Sequence, residues 1–258
     1  MNRTALVTGV SRRQGIGFAI ARRLLVDDGA RVFAQSWSRY DATEPWGADP
    51  GGIGAVLADL GGEGLRLAHA EIDLAGPAAP AQLVAAAVQR LGPLDTLVLN
   101  HARSQLGTVD ALTADDLDGT WAVNVRASLL LVREFVAQYR PVPHGGRVVL
   151  FTSGQHRGPM PDEIPYAVTK GALQQITATL ADALADRDIT VNCVNPGPTD
   201  TGWASPDQAA FVNRQMPRGR WNSPDEAAAV VALLLSPDAA TITGQVVDAE
   251  GGFRRWTH

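Results

Sequence analysis

The strongest constraint on the fold is a regular alternation of short apolar runs with amphipathic helical stretches, which continues along the whole chain. The apolar runs predict strands at residues 5–8, 31–36, 65–72, 96–100, 147–152, 190–195 and 245–249. The stretches between them predict helices at residues 16–28, 79–91, 114–139, 166–185 and 223–235. This alternation is typical of right-handed βαβ units and indicates an α/β fold with a doubly wound parallel sheet. No linker or change of composition divides the chain, so we expect a single domain over residues 1–258.

Two segments interrupt the alternation, and each follows a predicted strand. Residues 40–54 are rich in Pro, Gly, Asp and Trp, which predicts an ordered insertion after the second strand. Residues 198–222 carry Pro, Trp and Met between a strand and a helix. Because open α/β sheets bind ligands at the carboxyl ends of their strands, we expect residues 198–222 to form a mobile substrate loop.

Composition narrows the classes of function. The formal net charge of −5 argues against a nucleic-acid-binding surface. The single cysteine, Cys193, excludes an intrachain disulfide, and its apolar, strand-like surroundings predict a buried, inert thiol. The five histidines show no metal-ligand spacing, so we expect no metal site. No signal peptide precedes the first strand and no apolar run reaches membrane-spanning length, so we expect a cytoplasmic protein without a membrane partner.

A glycine-rich segment follows the first predicted strand and opens the first predicted helix. Gly9, Gly15 and Gly17 would let the backbone approach a pyrophosphate, while the helix N-terminus offers free amide donors. A simple tight turn is the alternative interpretation. The strand–turn–helix context favours dinucleotide binding.

The end of the second predicted strand bears on the choice of cofactor. In dinucleotide-binding folds an acidic residue there binds the 2′-hydroxyl of NAD, whereas this strand ends in Ser36 and Trp37 without a carboxylate. Arg12, Arg13 and Arg39 are available for a 2′-phosphate, which favours NADP. The alternative is that these arginines are solvated surface charges.

Asp73 ends the third predicted strand, in the run Glu71-Ile72-Asp73-Leu74. A carboxylate there could accept a hydrogen bond from the amino group of an adenine. The same residue could equally serve as a helix cap or a turn aspartate.

A tyrosine and a lysine four residues apart, Tyr166 and Lys170, follow Ser153 in the chain. On a helix these two side chains share one face, about one turn apart. A free tyrosine loses its proton near pH 10, and a nearby ammonium group favours the phenolate. We therefore expect Lys170 to lower the pKa of Tyr166, while Ser153 holds a substrate oxygen. The alternative is a solvated helix face without chemistry.

Together these motifs resemble the short-chain dehydrogenase/reductase family over nearly the whole chain. The matching segments, in order, are the glycine-rich start, Asp73-Leu74, Leu99-Asn100-His101-Ala102, Asn124, Ser153, Tyr166 with Lys170, Asn195-Pro196-Gly197 with Thr201, Thr243-Gly244-Gln245, and Gly251-Gly252. The resemblance implies a single-domain Rossmann fold with a seven-stranded parallel sheet, assembled as a homotetramer or homodimer.

The resemblance also implies a catalytic tetrad of Asn124, Ser153, Tyr166 and Lys170. Tyr166 would protonate a carbonyl oxygen that Ser153 orients, and Lys170 would bind the nicotinamide ribose. Asn124 would hold a water of a proton relay. By the same resemblance the residues that bind NADP(H), or alternatively NAD(H), are Gly9, Ser11, Arg12, Arg13, Gly15, Ile16, Gly17, Ser36, Trp37, Asp73, Leu74, Asn100, His101, Ala102, Tyr166, Lys170, Pro196, Gly197, Thr199 and Thr201.

Two departures from the family pattern are visible. Five residues separate Gly9 from Gly15, where the family usually has three, and this longer loop resembles that of enoyl-carrier-protein reductases. Those enzymes space their tyrosine and lysine seven apart, whereas the interval here is four. Arg103 stands where the family has a glycine, and we expect a buried structural role for His101 beside it.

The sequence therefore predicts an NADP-dependent oxidoreductase that reduces a ketone to a secondary alcohol. A 3-oxoacyl thioester is one candidate substrate, with an acyl carrier protein as its carrier, because Arg187 and His144 partly match the docking positions of 3-oxoacyl-carrier-protein reductases. An enoyl-thioester reductase and a non-catalytic NADP-binding sensor are the alternatives. Trp203, Phe211 and other apolar residues of the 198–222 loop suggest a hydrophobic or cyclic ketone.

Overall fold

Seven parallel strands form one sheet in a computed structural model that describes residues 3–255. The strands are β1 Thr4–Thr8, β2 Arg31–Ser36, β3 Leu67–Glu71, β4 Thr96–Leu99, β5 Gly146–Phe151, β6 Ile189–Asn195 and β7 Val246–Asp248. Their order across the sheet is β3-β2-β1-β4-β5-β6-β7. This order confirms the predicted doubly wound Rossmann fold.

The helices cover both faces of the sheet. They are α1 Ile16–Val26, α2 Ser38–Thr43, α3 Gly52–Asp59, α4 Ala79–Leu91, α5 Ala114–Trp121, α6 Ala127–Gln138, α7 Ile164–Leu184, α8 Pro206–Gln215 and α9 Pro224–Leu235. Ser223 begins α9 with a capping box, which confirms the helix start that the Ser-Pro pair predicts. None of these helices combines the length and the apolarity that crossing a membrane requires.

Each face of the sheet carries its own apolar core because successive strand residues point to opposite faces. In β1, Leu6 packs with α4 and α6, whereas Ala5 and Val7 pack with α1 and α9. Cys193 of β6 is fully buried in the first of these cores, and burial raises the pKa of its thiol to about 12. This confirms the prediction that the cysteine is buried.

Two predicted elements differ clearly from the structure. The predicted helix at 114–139 is divided, because a π-helical segment, Ala122–Arg126, separates α5 from α6. The third strand is shorter than predicted and begins only at Leu67, after a glycine turn. The insertion is ordered, as predicted, and forms the short helices α2 and α3.

The order of the strands places a ligand cleft at the carboxyl end of the sheet. The chain runs outward from β1 to β2 and β3, then returns to the other side of β1 as β4. Loops that leave β1 and β4 therefore diverge to opposite faces, and the crevice between them is where such sheets bind ligands. The glycine-rich segment and Asn100 both lie at this point.

Adjacent leucines of α9 offer a test of the second core. Leu234 is 3% exposed and packs inside it, whereas Leu233 is 58% exposed. We expect Leu234→Ala to lower the free energy of unfolding by about 2–5 kcal/mol through lost burial and a residual cavity. Leu233→Ala, the same change one residue earlier, should cost less than about 0.5 kcal/mol. Urea unfolding measures both variants, and equal losses would contradict the described packing.

Candidate active site

The glycine-rich turn brings the backbone of β1 close to the start of α1. Gly9 adopts a positive φ of 76°, which favours glycine. A methyl group on Gly17 would overlap the carbonyl oxygen of Gly9 and approach Asn100 Nδ2 to 2.8 Å. Helix α1 begins after Gly15, and within residues 3–255 no side chain caps its N-terminus. This turn fits a pyrophosphate, whose charge the uncapped amides would meet.

The longer loop between Gly9 and Gly15 is bound to the insertion. Asp49 is 7% exposed and accepts from both the backbone N–H of Arg13, at 2.9 Å, and its guanidinium, at 2.8–3.2 Å. These bonds from Arg13 lower the pKa of Asp49 to about 2. Arg12 pairs with Asp41 at 3.3 Å. Two of the arginines that the sequence offers for a 2′-phosphate are therefore already paired with carboxylates.

Arg39 is the third candidate, and its surroundings differ. Its guanidinium lies 5.3 Å from the centre of the Trp37 ring, and the residue is exposed. Ser11 accepts a hydrogen bond from the Trp37 backbone at 3.1 Å, which joins the glycine-rich loop to the end of β2. Ser36 is fully buried, and its hydroxyl oxygen lies 2.8 Å from His69 Nε2. Within residues 3–255 Arg39 makes no ion pair with a carboxylate.

Asp73 and Leu74 follow β3 at the same edge. The Asp73 carboxylate accepts from the backbone of Ala75 at 2.9 Å, which is the turn role that the sequence left open. The residue is exposed. Leu74 is buried in the first core.

His101 has a structural role, as predicted. The residue is 7% exposed, and its Nε2 donates to the carbonyl of Val123 at 3.0 Å. Its Nδ1 therefore accepts from the Thr8 hydroxyl, which lies 2.7 Å away. Burial and the charge of Lys170 lower the pKa of His101 to about 3, so the ring stays neutral. It joins β1, the turn after β4 and the π-helical segment.

Asn124 lies in the π-helical segment and is completely buried. Its Oδ1 accepts from the backbone N–H of Arg103 at 2.7 Å. Its Nδ2 donates to the Arg103 carbonyl at 3.0 Å and to the Thr169 hydroxyl at 2.9 Å. Both amide hydrogens are thus committed to protein partners. Asn124 connects the loop after β4 to α7.

Ser153 and Tyr166 meet at the carboxyl end of β5. Ser153 lies two residues after the end of the strand, and Tyr166 lies in the first turn of α7 behind Pro165. The Ser153 side chain acts to lower the pKa of Tyr166. Loss of hydration and the Glu163 carboxylate act more strongly in the opposite direction, and they raise this pKa to about 12. Tyr166 is therefore a neutral phenol at physiological pH.

Lys170 lies one turn further along α7 and is 2% exposed. Its Nζ donates to the carbonyl of Phe151 at 3.0 Å and lies 5.5 Å from the centre of the Tyr166 ring. Burial lowers the pKa of Lys170 to about 8, which leaves the amine mostly protonated at pH 7. The expected lowering of the tyrosine pKa by Lys170 is absent in this structure, where the ammonium donates to a backbone carbonyl and loss of hydration is the largest effect on the phenol.

The turn after β6 forms the other wall of the cleft. Gly197 has a φ of 65°, and its N–H donates to Asn195 Oδ1 at 3.1 Å. The Thr199 hydroxyl donates to the Gly197 carbonyl at 3.1 Å, so Thr199 supports this turn. Asn222 Nδ2 donates to the carbonyl of Pro196 at 2.9 Å. Thr201 is half-buried two residues beyond Thr199.

The loop at 198–222 contains a complete helix, α8, which Ser205 opens with a capping box. Met216 and Trp221, two of its apolar residues, are buried in a small core with Val212. Trp203 and Phe211 are 42% and 46% exposed.

Three features of the site carry no signal in the sequence. The pairs Arg12–Asp41 and Arg13–Asp49 join segments that are distant in the chain. The Tyr40 hydroxyl accepts from the Ser104 N–H at 2.8 Å and donates to its carbonyl at 3.0 Å, so the insertion is tied to the loop after β4.

Among residues 3–255, no group of three or more histidines, cysteines or carboxylates is arranged to hold a metal ion.

Comparison with known proteins agrees with this geometry. A family model described as Enoyl-(Acyl carrier protein) reductase matches residues 9–254. The uncharacterized oxidoreductase YjdA of Bacillus subtilis (strain 168) is 37% identical over 252 residues, which cover 97% of this chain and 96% of the relative.

Two solved structures resemble the chain over 97% of its length. A blue fluorescent protein from a metagenomic library, in complex with NADPH, is 32% identical with a TM-score of 0.84, and 97% of it is covered. The promiscuous reductase LugOII, which catalyses keto-reduction at C1 during lugdunomycin biosynthesis, is 34% identical with a TM-score of 0.81, and 96% of it is covered. The chain therefore belongs to the short-chain dehydrogenase/reductase family and is an oxidoreductase acting on the CH–OH/C=O pair.

Proposed function

We propose that this protein is an NADP(H)-dependent carbonyl reductase that converts a ketone into a secondary alcohol. One observation carries the proposal: Tyr166 is a neutral phenol within reach of the Ser153 side chain, at the carboxyl end of the sheet. A carbonyl oxygen that binds between these hydroxyls would receive two hydrogen bonds and become a better acceptor. Bound reduced nicotinamide supplies the hydride to the carbonyl carbon.

The remaining chemistry belongs to the side chains. Tyr166 gives its phenolic proton to the carbonyl oxygen and becomes a phenolate, while Ser153 keeps the oxygen oriented. The Lys170 ammonium, 5.5 Å from the tyrosine ring, stabilises that phenolate until a proton returns from solvent. Asn124 acts as a positioning residue, because its amide fixes Thr169, which lies beside Lys170 on α7.

Support for NADP over NAD comes from the adenosine end of the cleft. The end of β2 offers Ser36 and Trp37 in place of a carboxylate, and Arg39 has an exposed guanidinium. Gly9, Gly15, Ile16 and Gly17 would hold the pyrophosphate. Arg12 and Arg13 would support this loop through their carboxylate partners, which leaves Arg39 as the reader of a 2′-phosphate.

We propose a free hydrophobic ketone as the substrate rather than one bound to a carrier protein. The guanidinium of Arg187 donates to the Val136 carbonyl, and His144 lies 3.5 Å from Asp95. His144 precedes β5 and Arg187 precedes β6, so both lie at the amino ends of the strands, whereas Tyr166 lies at the carboxyl ends. A carrier protein that docked there would deliver its thioester to the amino ends of the strands, on the side of the same protomer away from Tyr166.

Enoyl-thioester reduction is the second candidate, because the matching family model carries that description. The long loop between Gly9 and Gly15 favours it, whereas the interval of four between Tyr166 and Lys170 favours carbonyl reduction. A non-catalytic NADP-binding sensor is the third, and the presence of all four tetrad residues argues against it.

We also propose a homotetramer or homodimer in the cytoplasm. Apolar side chains are exposed on three neighbouring helices, namely Leu117 and Trp121 on α5, Leu129 on α6 and Val168 on α7. A patch of this kind is suited to contact with a second copy of the chain.

The reaction class is tested by measuring NADPH and NADH consumption with cyclic ketones, diketones, an acetoacetyl thioester and an enoyl thioester. We expect ketone turnover with NADPH. Tyr166→Phe should lower kcat by about 10²–10⁴-fold, because the variant has no proton to give, while the Kd for NADPH stays unchanged. Tyr139→Phe makes the same change at the end of α6 and serves as the control. Turnover of the enoyl thioester alone, or full ketone reduction by Tyr166→Phe, would contradict the proposal.

Alkaline titration tests the protonation state of the tyrosines. The chain has three, and in the folded protein Tyr40, Tyr139 and Tyr166 all have raised pKa values. Ultraviolet difference spectroscopy should therefore show little phenolate at pH 10, where free tyrosine is half ionised. The stability that neutral Tyr166 contributes is fully present below about pH 10 and is lost as the pH rises toward about 12. Tyr166→Phe should lose less stability over that range, and a half-maximal phenolate signal at pH 10 would refute the shifts.

Cofactor preference is tested by Arg39→Ala. Loss of one charge-assisted contact to a phosphate should raise the Kd for NADPH about tenfold or more and leave the Kd for NADH unchanged. Fluorescence titration measures both constants without a substrate. Arg133→Ala, a surface change on α6, is the control. Equal weakening of both cofactors, or of neither, would show that Arg39 does not read a 2′-phosphate.

A further inference from the structure

A partly buried ionic cluster connects the two loops that flank the proposed reaction site. Its carboxylates are Asp248 at the end of β7 and Glu250 just beyond it. Its cations are Arg157 in the turn after β5 and Arg255 near the end of the described chain. Asn195, completely buried at the end of β6, donates to both carboxylates at 2.8 and 2.7 Å.

Glu250 and Arg255 form the tightest pair of this cluster. The Glu250 side chain is 8% exposed and that of Arg255 is 17% exposed. The guanidinium donates to both carboxylate oxygens, at 2.6 and 2.5 Å, in a bidentate arrangement. Such pairs fix geometry as well as charge, because the planar fork matches the carboxylate.

Both partners pack directly against glycines of the two loops. A methyl group on Gly154, the residue after Ser153, would overlap the Arg255 guanidinium and come within 3.1 Å of Glu250 Oε1. A methyl group on Gly158 would lie 2.6 Å from Arg255 Cδ. On the other side, a methyl group on Gly197 would come within 2.5 Å of Glu250 Cα. The pair therefore fills the space between the turn that follows Ser153 and the turn that begins at Pro196.

We propose that Glu250 and Arg255 are a positioning pair that sets the Ser153 turn against the Pro196–Gly197 turn. The proposal deepens the proposed carbonyl reductase and rests on it for the role of Ser153. Neither side chain is placed in contact with substrate; each acts through the backbone that it supports. A displacement of Ser153 by about 1 Å would misalign the carbonyl and cost about a hundredfold in rate.

The first measurement needs no turnover. In the turn after β5, the amides of Arg157 and Gly158 both donate to the Gly154 carbonyl, at 2.8 and 3.1 Å. We expect Arg255→Ala to raise hydrogen–deuterium exchange of these two amides by about tenfold, because the turn loses its support. Arg254→Ala is the matched control, since Arg254 is the exposed neighbour in the same segment. Equal exchange in both variants would overturn the proposal.

The second measurement links the pair to catalysis through Ser153. Arg255→Ala should lower kcat for ketone reduction by about 10–100-fold, while the Kd for NADPH changes by less than about threefold. In a Ser153→Ala background, Arg255→Ala should cause no further loss, because the group that it positions is already gone. A full additional loss in that background would overturn the proposed route through Ser153.

A conservative variant distinguishes loss of the bidentate pair from a failure to fold. Arg255→Lys keeps the charge but cannot form the bidentate hydrogen bonds. It should therefore raise amide exchange and lower kcat in the same direction as Arg255→Ala, but by less. If Arg255→Ala fails to fold, Arg255→Lys with unchanged exchange would itself contradict the proposal. If the wild-type chain turns over no carbonyl, the proposed function fails, while the exchange experiment still decides whether the pair positions the turn.

Discussion

The structure of the cleft depends on the buried amide of Asn124. Its side chain completes the hydrogen bonds of the Arg103 backbone, which would otherwise leave a donor and an acceptor unpaired in the interior. Through Thr169 the same amide holds α7, which carries Tyr166 and Lys170. Because one side chain serves both the loop and the helix, neither can move without breaking a buried hydrogen bond.

This connection continues across the cleft to the adenosine end. Ser104, next to Arg103, exchanges two hydrogen bonds with the Tyr40 hydroxyl, and Tyr40 belongs to the insertion that binds the glycine-rich loop. The insertion thus supports the longer loop, because Asp49 of the insertion pairs with Arg13 of that loop. The π-helical segment is part of the same arrangement, because it carries Asn124. Such segments are frequent at functional sites.

Much of this fold and site could be predicted because its signals are local. The strand and helix alternation, the glycines before α1 and the Ser-Pro start of α9 each act within a few residues. The division at Ala122–Arg126 could not be predicted, because a π-helical turn leaves the apolar pattern of a helix intact. The pairing of Arg12 and Arg13 also escaped prediction, since no spacing rule joins a loop at residue 13 to a carboxylate at residue 49.

The pKa of Tyr166 illustrates why chemistry is harder to predict than fold. The sequence places an ammonium one helical turn away, and Coulomb attraction alone would lower the pKa of the phenol. In the folded protein, burial raises the pKa of the phenol instead, and the Glu163 carboxylate adds to that rise. Burial acts on Lys170 as well, whose pKa falls to about 8. Since both members of the pair are driven toward their neutral forms, the site favours a proton on the tyrosine, which is the form that reduction of a carbonyl consumes.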